Sequence, residues 1–426
     1  MKIKKILKRL LQLHPKSVDL SLDRIKRLLK DLNHPEKNIK NAIQVVGTNG
    51  KHSCCSTLRE IFETAGYTVN LNISPSLRTF NERYYFLGKH ISDQRLHDLL
   101  IEVEEINRGQ NITFHEFICA CFFLEASRNQ ADVNILESGL FFRLDASNVL
   151  KKNIASIVMP IGIDHKDFLK EGTIDEIVFE KCSHLLENSM IVVSEQKNNV
   201  LKKIEKNIKK NSSKKVIFGK DYNYKKSSKG FIYKDNLYKI SLPPPNLLGD
   251  FQISNITTAI ATVKNLKNFK VTDDHINKAI RKIRSEGRLQ FITKGNLRNL
   301  VSKNNEIIIE GAHNTLAAFE ISKFLKTLKS KKKVIMMLGM MANKEHRKFI
   351  QILKSNIHSV VALDIPNQTN FIEKEKLAKI SQSCGINSKI ENSIEEAFKN
   401  IAKQDGNSII LCAGSLYFAG EILNLN

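Results

Sequence analysis

The sequence predicts an α/β fold with two parallel-sheet domains, and three observations carry that expectation. From Ala42 onward, short apolar runs alternate with amphipathic helical stretches. The same alternation restarts near Glu306 after a polar interlude. Between them in importance stands a β-branched pair running into a glycine-bracketed turn, Val45-Val46-Gly47-Thr48-Asn49-Gly50-Lys51-His52-Ser53. Strands spaced by helices are the signature of βαβ units, which close into parallel sheets.

Taken in order, residues 1–40 read as amphipathic helix, with Ile6, Leu10 and Leu11, then Ile25, Leu28, Leu29 and Leu32, as the apolar positions. Strands are expected at Ile43–Val46, Thr68–Ile73, Val133–Leu136, Ile154–Ile161 and Met190–Val193, with a helix over His115–Ser127 before the third. Residues 215–241 change to short polar-aromatic runs with turns at Lys229-Gly230 and Lys234-Asp235-Asn236, which suggests a small β meander. Helices are expected over Asn255–Lys264 and His275–Ile283. The second alternation predicts strands at Ile307–Ile309, Val334–Leu338, Val360–Ile365 and Ile409–Cys412. The polar stretch Phe291–Leu300 reads as the link, giving domains of residues 1–293 and 294–426.

Composition bounds the function class. A chain of 426 residues is long enough for two or three domains with large cores. Mean hydropathy of −0.26, with no apolar run near the roughly 20 residues of a membrane span, fits a soluble protein that engages no membrane. The basic start, Met1 to Arg9, lacks the apolar stretch of a secretory signal, so a cytoplasmic location is expected. A net charge of +23 invites a nucleic-acid reading. The lysines are dispersed, however, and nowhere interleaved with aromatics in a stacking pattern, which disfavours it. The same charge favours anionic small substrates. Seven cysteines without a C-x-x-C pair read as buried free thiols.

The turn after Val46 has the order a phosphate cradle needs. Gly47 and Gly50 admit backbone angles that aim amides at an anion, and the helix from Cys54 to Ala65 adds its positive end. Lys51 would reach the outer phosphates and Ser53 a magnesium ion. The glycine spacing is shorter than in G-x-x-x-x-G-K-[ST], and alone the turn serves equally as an ordinary strand-to-helix connection. Five later patterns are each ambiguous on their own. Ser74, at a strand end, is a turn former or a metal ligand. Glu137 directly follows an apolar strand, where a carboxylate holds magnesium or caps a helix. His165 is a ligand or a satisfied loop histidine. Lys181, on a predicted helix, reads by itself as solvent-facing. Arg288 and Glu310 read as phosphate and ribose contacts or as a surface ion pair.

In this order the patterns resemble the folylpolyglutamate synthase and dihydrofolate synthase family, a branch of the Mur ligases. That family shows L-G-L-[ED]-R-I, G-T-N-G-K-G-S, S-P-H-L with F-N-E-R, E-x-G-L-G-G-R-L-D-A-T-N, I-G-x-D-H, E-K-A, G-R-x-Q, D-G-A-H-N and G-S-L-Y. This chain has Leu20 to Ile25, Gly47 to Ser53, Ser74-Pro75-Ser76-Leu77, Phe80 to Arg83 and Glu137 to Asn148. It continues with Ile161 to His165, Glu180-Lys181-Cys182, Gly287 to Gln290, Glu310 to Asn314 and Gly414 to Tyr417.

The resemblance implies a three-layer N-terminal ATPase domain of P-loop type, a smaller doubly wound C-terminal domain and an active site in the cleft between them. It implies ATP at Thr48, Asn49, Gly50, Lys51, Asn255, Arg288 and Glu310, and Mg2+ on Ser74, Glu137 and His165. Lys181 matches the family's carbamylated lysine, and with Lys51 and His165 it makes up the implied catalytic set. Asp19, Leu20, Ser21 and Leu22, then Thr113, Phe114, His115 and Glu116, and Leu144, Asp145 and Ala146 match the pteroate pocket. His313, Ser415 and Tyr417 match the glutamate end. The implied reaction passes the γ-phosphoryl of ATP to a carboxylate of dihydropteroate or a folate, and the amine of L-glutamate then displaces phosphate. A monomer acting on small molecules is implied. Departures are His52 for glycine, Phe141-Phe142 for Gly-Gly, Ser76 and Phe251 for histidines, Glu310 for aspartate, Thr315 for proline and Cys182 for alanine. None removes a metal ligand or Lys51. The alternatives are a Mur-type ligase on another carboxylate, or a weakly active ATP-binding paralogue.

Overall fold

The structure, a computed structural model, describes residues 2–16, 18–328 and 332–426. It resolves into two compact units. The first comprises Met1–Ile161, His165–Asn246 and Ile253–Arg284, and the second Gly162–Asp164, Leu247–Gln252 and Ser285–Asn426.

Eight strands form the main sheet of the first unit: β1 (Ala42–Val46), β2 (Val69–Asn72), β3 (Tyr84–Phe86), β4 (Lys89–His90), β5 (Val133–Glu137), β6 (Ala155–Val158), β7 (Met190–Val193) and β8 (Lys214–Ile217). Their order is β4-β3-β2-β5-β1-β6-β7-β8. The six strands from β2 to β8 run parallel, and β3 and β4 extend the sheet antiparallel. Every residue of β1, β2, β5, β6 and β7 is buried, which requires cover on both faces. The chain leaves β1 for β2 on one side and reaches β6 on the other, so the strand order reverses beside β1. Ligands of open α/β sheets bind at the carboxyl ends of the strands at such a point.

Of residues 1–40, Lys2–Leu10 and Asp23–Asp31 are α-helical, and Asp19 to Leu22 lie between them outside any helix. Ile6, Leu10, Ile25, Leu28 and Leu29 join one apolar cluster with helix Phe114–Arg128. The stretch expected as one meander splits in two. β8 closes the parallel sheet, while β9 (Tyr222–Ser227), β10 (Gly230–Asp235) and β11 (Lys239–Leu242) form a separate antiparallel sheet. β8 reads Lys214-Lys215-Val216-Ile217, and two apolar residues at a sheet edge make too short a run to mark a strand of the parallel sheet.

The second unit holds β12 (Gln290–Ile292), β13 (Glu306–Ile309), β14 (Lys333–Leu338), β15 (Ser359–Ala362), β16 (Asn387–Ile390) and β17 (Ser408–Ala413), in the order β12-β13-β17-β14-β15-β16. All neighbours from β13 onward are parallel. The proposed link at 291–300 is corrected here. Phe291 and Ile292 pair antiparallel with β13, and Asn296–Asn299 is a short helix, so these residues belong inside the second unit. β16 escaped the sequence reading because three of its four residues are polar and it lies at a sheet edge.

Candidate active site

The turn after β1 enters its helix at Lys51, with Gly50 as the cap at φ +80°. A side chain at Gly50 would put its Cβ 2.4 Å from Asn255 Oδ1, and one at Gly47 would stand 2.7 Å from Met159 Cβ. Only glycine fits either place. The amides of Thr48 and Asn49 both donate to the Pro160 carbonyl, at 2.9 and 3.2 Å. The expectation that the whole turn aims its amides inward therefore narrows to the amides from Gly50 onward. The first helical bond is Cys54 N to Gly50 O, which sets the positive end of the helix at this turn. Lys51 Nζ lies back along its own turn, donating to Gly47 O at 3.2 Å and Thr48 O at 3.4 Å. Ser53 is buried.

Glu137 closes β5 and is buried at the same sheet edge. It accepts the backbone amide of Ser74 at 3.1 Å, so β2 and β5 deliver these two residues side by side. Lys181 overturns its solvent-facing reading: it is 2 % exposed, on the helix Ile174–Cys182. Its Nζ donates to Gly47 O at 3.0 Å and to Leu140 O, and sits 5.4 Å from the centre of the Phe141 ring. The loop after Glu137 is fastened to this helix. Phe142 N and Arg143 N both donate to Glu180 O, and the Arg143 guanidinium forks onto the Glu180 carboxylate at 2.8–3.1 Å. Phe141 and Phe142 are both buried, which gives the departure from Gly-Gly a packing role. Burial pushes the Cys182 thiol up to about 12, with the neighbouring Lys181 charge pulling the other way. All seven cysteines are buried and unpaired, as expected. His165 takes φ +55° and its ring faces Phe168, with centroids 6.5 Å apart.

The three segments expected to line a pteroate pocket meet in the first unit, the first two through Arg24 and the second and third through His115 and Asp145. Arg24 donates to Asp19 at 2.8 Å and to Glu116 at 2.9 Å. Glu116 is buried and closes a capping box with Thr113, while its Oε1 has no partner. His115 Nε2 lies 3.4 Å from Asp145 Oδ2 and 3.7 Å from Cys119 Sγ. Burial opposes charge on this imidazole, but Cys119 and Asp145 outweigh it and hold its pKa well above the ordinary value. Burial likewise opposes the Asp145 carboxylate, yet His115 and Ser147 keep its pKa below normal. Asp145 Oδ2 also accepts Gly139 N at 2.9 Å. Leu20, Ser21 and Leu22 are half-buried, Ser21 bonding Asp23; Ala146 is buried, Leu144 half-buried, and Phe114 packs edge-on to Phe80.

In the second unit Glu310 stands just past β13 and is 3 % exposed, so the surface-pair reading fails. Its Oε2 accepts Leu289 N at 2.9 Å and its Oε1 lies 3.6 Å from Arg288. Burial pushes its carboxyl up, and Arg288 and the Leu289 amide draw it back down. His313 follows at the same edge, Nδ1 3.0 Å from Gly311 O. Ser415 is buried as the cap of helix Leu416–Leu425, accepting Tyr417 N at 3.1 Å, and Tyr417 is exposed. Sequence reasoning missed Asp164 and Lys344, whose ion pair is described below, and Arg24, Arg143 and Glu180. A half-buried arginine opposite a buried glutamate leaves no spacing signal when the partners are 92 or 37 residues apart.

Among the described residues no cluster of three or more His, Cys, Asp and Glu is placed to hold a metal, and no helix is long and apolar enough to cross a membrane.

The profile of the Mur ligase middle domain matches residues 45–263, and that of the dihydrofolate synthetase C-terminal domain matches residues 293–425. The chain is 28 % identical over 429 aligned positions to the dihydrofolate synthase/folylpolyglutamate synthase of Bacillus subtilis, covering 94 % of each protein. The structure of Escherichia coli FolC in complex with DHPP and ADP superposes with a TM-score of 0.88 at 24 % identity, covering 99 % of this chain and 97 % of that one. The Yersinia pestis bifunctional folylpolyglutamate synthase/dihydrofolate synthase, complexed with AMPPNP and Mn ion, gives 0.86 at 22 %, over 99 % and 97 %. A middle-domain match across more than half the chain, joined to the C-terminal one, fixes the lineage: the chain belongs to the Mur ligase family, in its folylpolyglutamate synthase and dihydrofolate synthase branch.

Proposed function

We propose that this chain is an ATP-dependent ligase that joins L-glutamate to dihydropteroate, to folates, or to both, through an acyl phosphate. The observation that carries the reading is the convergence, at the carboxyl ends of β2, β5, β1 and β6, of the glycine turn with Lys51, Glu137 beside Ser74, and the buried Lys181. In this reading Thr48, Asn49, Gly50, Lys51 and Asn255 contact ATP, as do Arg288 and Glu310. Asp19 to Leu22, Thr113 to Glu116 and Leu144 to Ala146 take the pteroate, and His313, Ser415 and Tyr417 the glutamate. The relatives' names and the ADP and AMPPNP of their complexes support this assignment.

The oxygen donors of Ser74 and Glu137, with His165, suit a hard divalent cation such as Mg2+. Such an ion offsets the charge that develops on the phosphates during transfer. Lys51 does the same from its turn, its Nζ needing only to swing from two carbonyls to a phosphate. We assign Lys181 as a carbamate-bearing lysine. Its Nζ is buried against the Gly47 and Leu140 carbonyls beside the glycine turn, and the uncharged amine is the form that adds CO2. Cytoplasmic, monomeric action completes the reading.

Purified protein given ATP, Mg2+, L-glutamate and either dihydropteroate or tetrahydrofolate should release phosphate only when all four components are present. Release that ignores the pteridine would point to another carboxylate substrate, and none at all would leave an ATP-binding paralogue. Lys181→Ala should lose roughly 10²–10³-fold in turnover, with partial recovery in bicarbonate or short carboxylates. A fully active Lys181→Ala would remove the carbamate assignment.

A further inference from the structure

The small antiparallel sheet of the first unit presents a surface that the residues of the candidate active site do not use. The stretch 195–240 carries fourteen lysines, four acidic residues and no arginine, and the fold turns three of those lysines onto one face. The strand order β11-β10-β9 leaves β10 in the middle. Phe231, Tyr233, Ile240 and Leu242 are buried, so the alternate positions of β10 and β11 face outward. Lys225 stands opposite Ile232, and Lys234 directly opposite Lys239, which puts three exposed lysines on the outward face. Like charges directly opposed in a sheet cost stability. Lysines on edge strands discourage pairing with other chains, but Lys234 lies on the central strand, where there is no edge to protect.

Between Lys234 and Lys239 the hairpin ends in an apolar tip. Leu237 is 84 % exposed, the highest value for a large apolar residue among the described residues, and Tyr238 is 42 % exposed. The tip is fixed. Asp235 N donates to Tyr238 O at 2.9 Å. Asp235 Oδ1 accepts the amides of Leu237 and Tyr238 at 2.8 and 2.7 Å, and Oδ2 accepts the Tyr233 hydroxyl at 2.6 Å. The carboxylate of the turn is thereby engaged within the hairpin. Lys264, which also pairs with Asp273, has its Nζ 4.8 Å from the centre of the Tyr238 ring. A single exposed leucine needs no explanation. A leucine held out on a fixed turn, beside an amphipathic tyrosine and between opposed lysines, combines the apolar and the cationic signal that together hold a protein at a lipid surface.

We propose that the β10–β11 hairpin docks on an anionic phospholipid surface. Leu237 enters the headgroup layer, Tyr238 lies at its level, and Lys225, Lys234 and Lys239 meet the lipid phosphates. This is peripheral contact and needs no spanning helix. Single-stranded nucleic acid fits the face less well, because it calls for rings on which bases stack, and Leu237 offers it nothing. A second copy meeting this face with its own would bring the same lysines together. The proposal is independent of the ligase reading.

The test is co-sedimentation of the full chain with vesicles of phosphatidylglycerol and phosphatidylcholine in equal parts, and with vesicles of phosphatidylcholine alone. The parent should partition at least about tenfold more strongly onto the anionic vesicles and lose most of that preference in about 1 M salt. The triple variant Lys225→Gln/Lys234→Gln/Lys239→Gln should lower the partition at least about tenfold, while the matching triple substitution to Arg should keep it. Leu237→Ser should lower it roughly tenfold. All variants should unfold at the parent temperature and match the parent in phosphate release without vesicles, since none alters a residue of the candidate active site. A parent that ignores anionic vesicles would overturn the proposal, and so would a glutamine triple variant that binds them as the parent does. Binding unchanged by Leu237→Ser would overturn it too; if an oligouridylate also competed that binding away, the face would belong to nucleic acid instead.

Discussion

Lys51 and Lys344 occupy comparable places, each just past the carboxyl end of a parallel strand, but their charges are met differently. Lys51 rests on two backbone carbonyls of its own turn, 3.2 and 3.4 Å away. Lys344 is joined to a nearly buried carboxylate at 2.6 Å. Carbonyl dipoles hold an ammonium weakly and leave its charge available to an incoming anion. A carboxylate neutralises the charge and fixes its position, and removing either partner strands the other in a poorly solvated place. The first arrangement allows a mobile cation to follow a phosphate through a reaction. The second suits a cation that must stay where it is.

The comparison predicts that the two lysines fail in different ways. Lys51→Ala should cost roughly 10³-fold in kcat/KM, about 4 kcal/mol of transition-state stabilisation, with an unfolding temperature close to the parent's. Near-normal phosphate release by this variant would break the comparison at its first term. Lys344→Met should instead cost about 3 kcal/mol of fold stability from the unpaired Asp164, measured by denaturant unfolding, and adding Asp164→Asn should return most of it. Glu137→Gln keeps the shape of the buried carboxylate without its charge. It should lower turnover roughly 10²-fold, with partial rescue by raised Mg2+, and parent-like kinetics would make Glu137 purely structural.

The smallest effect expected is that of His115 and Asp145, a pair of the first unit whose contribution to stability depends on pH. His115 has a raised folded pKa, so its contribution is complete below its ordinary value of 6.5 and is lost as pH rises through the folded value. Asp145 has a lowered one, so its contribution is complete above 3.8 and is lost as pH falls through its folded value. Both hold in full only between those ordinary values. His115 is partly exposed, with 31 % of its side chain in solvent, so screening limits the effect to about 1 kcal/mol. The stability gap between parent and His115→Ala should therefore be widest near pH 5–6 and narrow on the alkaline side; a gap unchanged up to pH 10 would remove the pair from the account.

Much of this architecture was legible in the sequence because parallel strands buried on both faces read as short apolar runs. β7 was bounded to the residue, and β1, β2, β5 and β6 to within a few. What stayed hidden was edge and partnership. β3, β4, β12 and β16 lie at or near sheet edges, are short or polar, and carry no periodic signal. Lys181 was legible only through its motif, since a lysine on a helix gives no local sign that the helix turns it onto Gly47 O. Asp164 stood inside a recognised motif, yet Lys344, 180 residues further on, had nothing local to mark it. Chemistry that depends on one chain segment is visible as spacing; chemistry that needs two distant ones is visible only after folding.

The close approach of Gly50 to Asn255 bears on how the molecule is made. The turn that carries Lys51 has its final surroundings only when the helix Asp250–Asn265 has arrived to cover it. On a ribosome adding about 5–20 residues per second, that helix emerges roughly 10–40 s after the turn does. During that interval the nascent chain carries the motif without its cover. A fragment ending before Asp250 would read as nucleotide-binding to any motif search and would still lack the wall against which the turn is formed. Truncations used to dissect this protein should therefore keep the chain through Asn265.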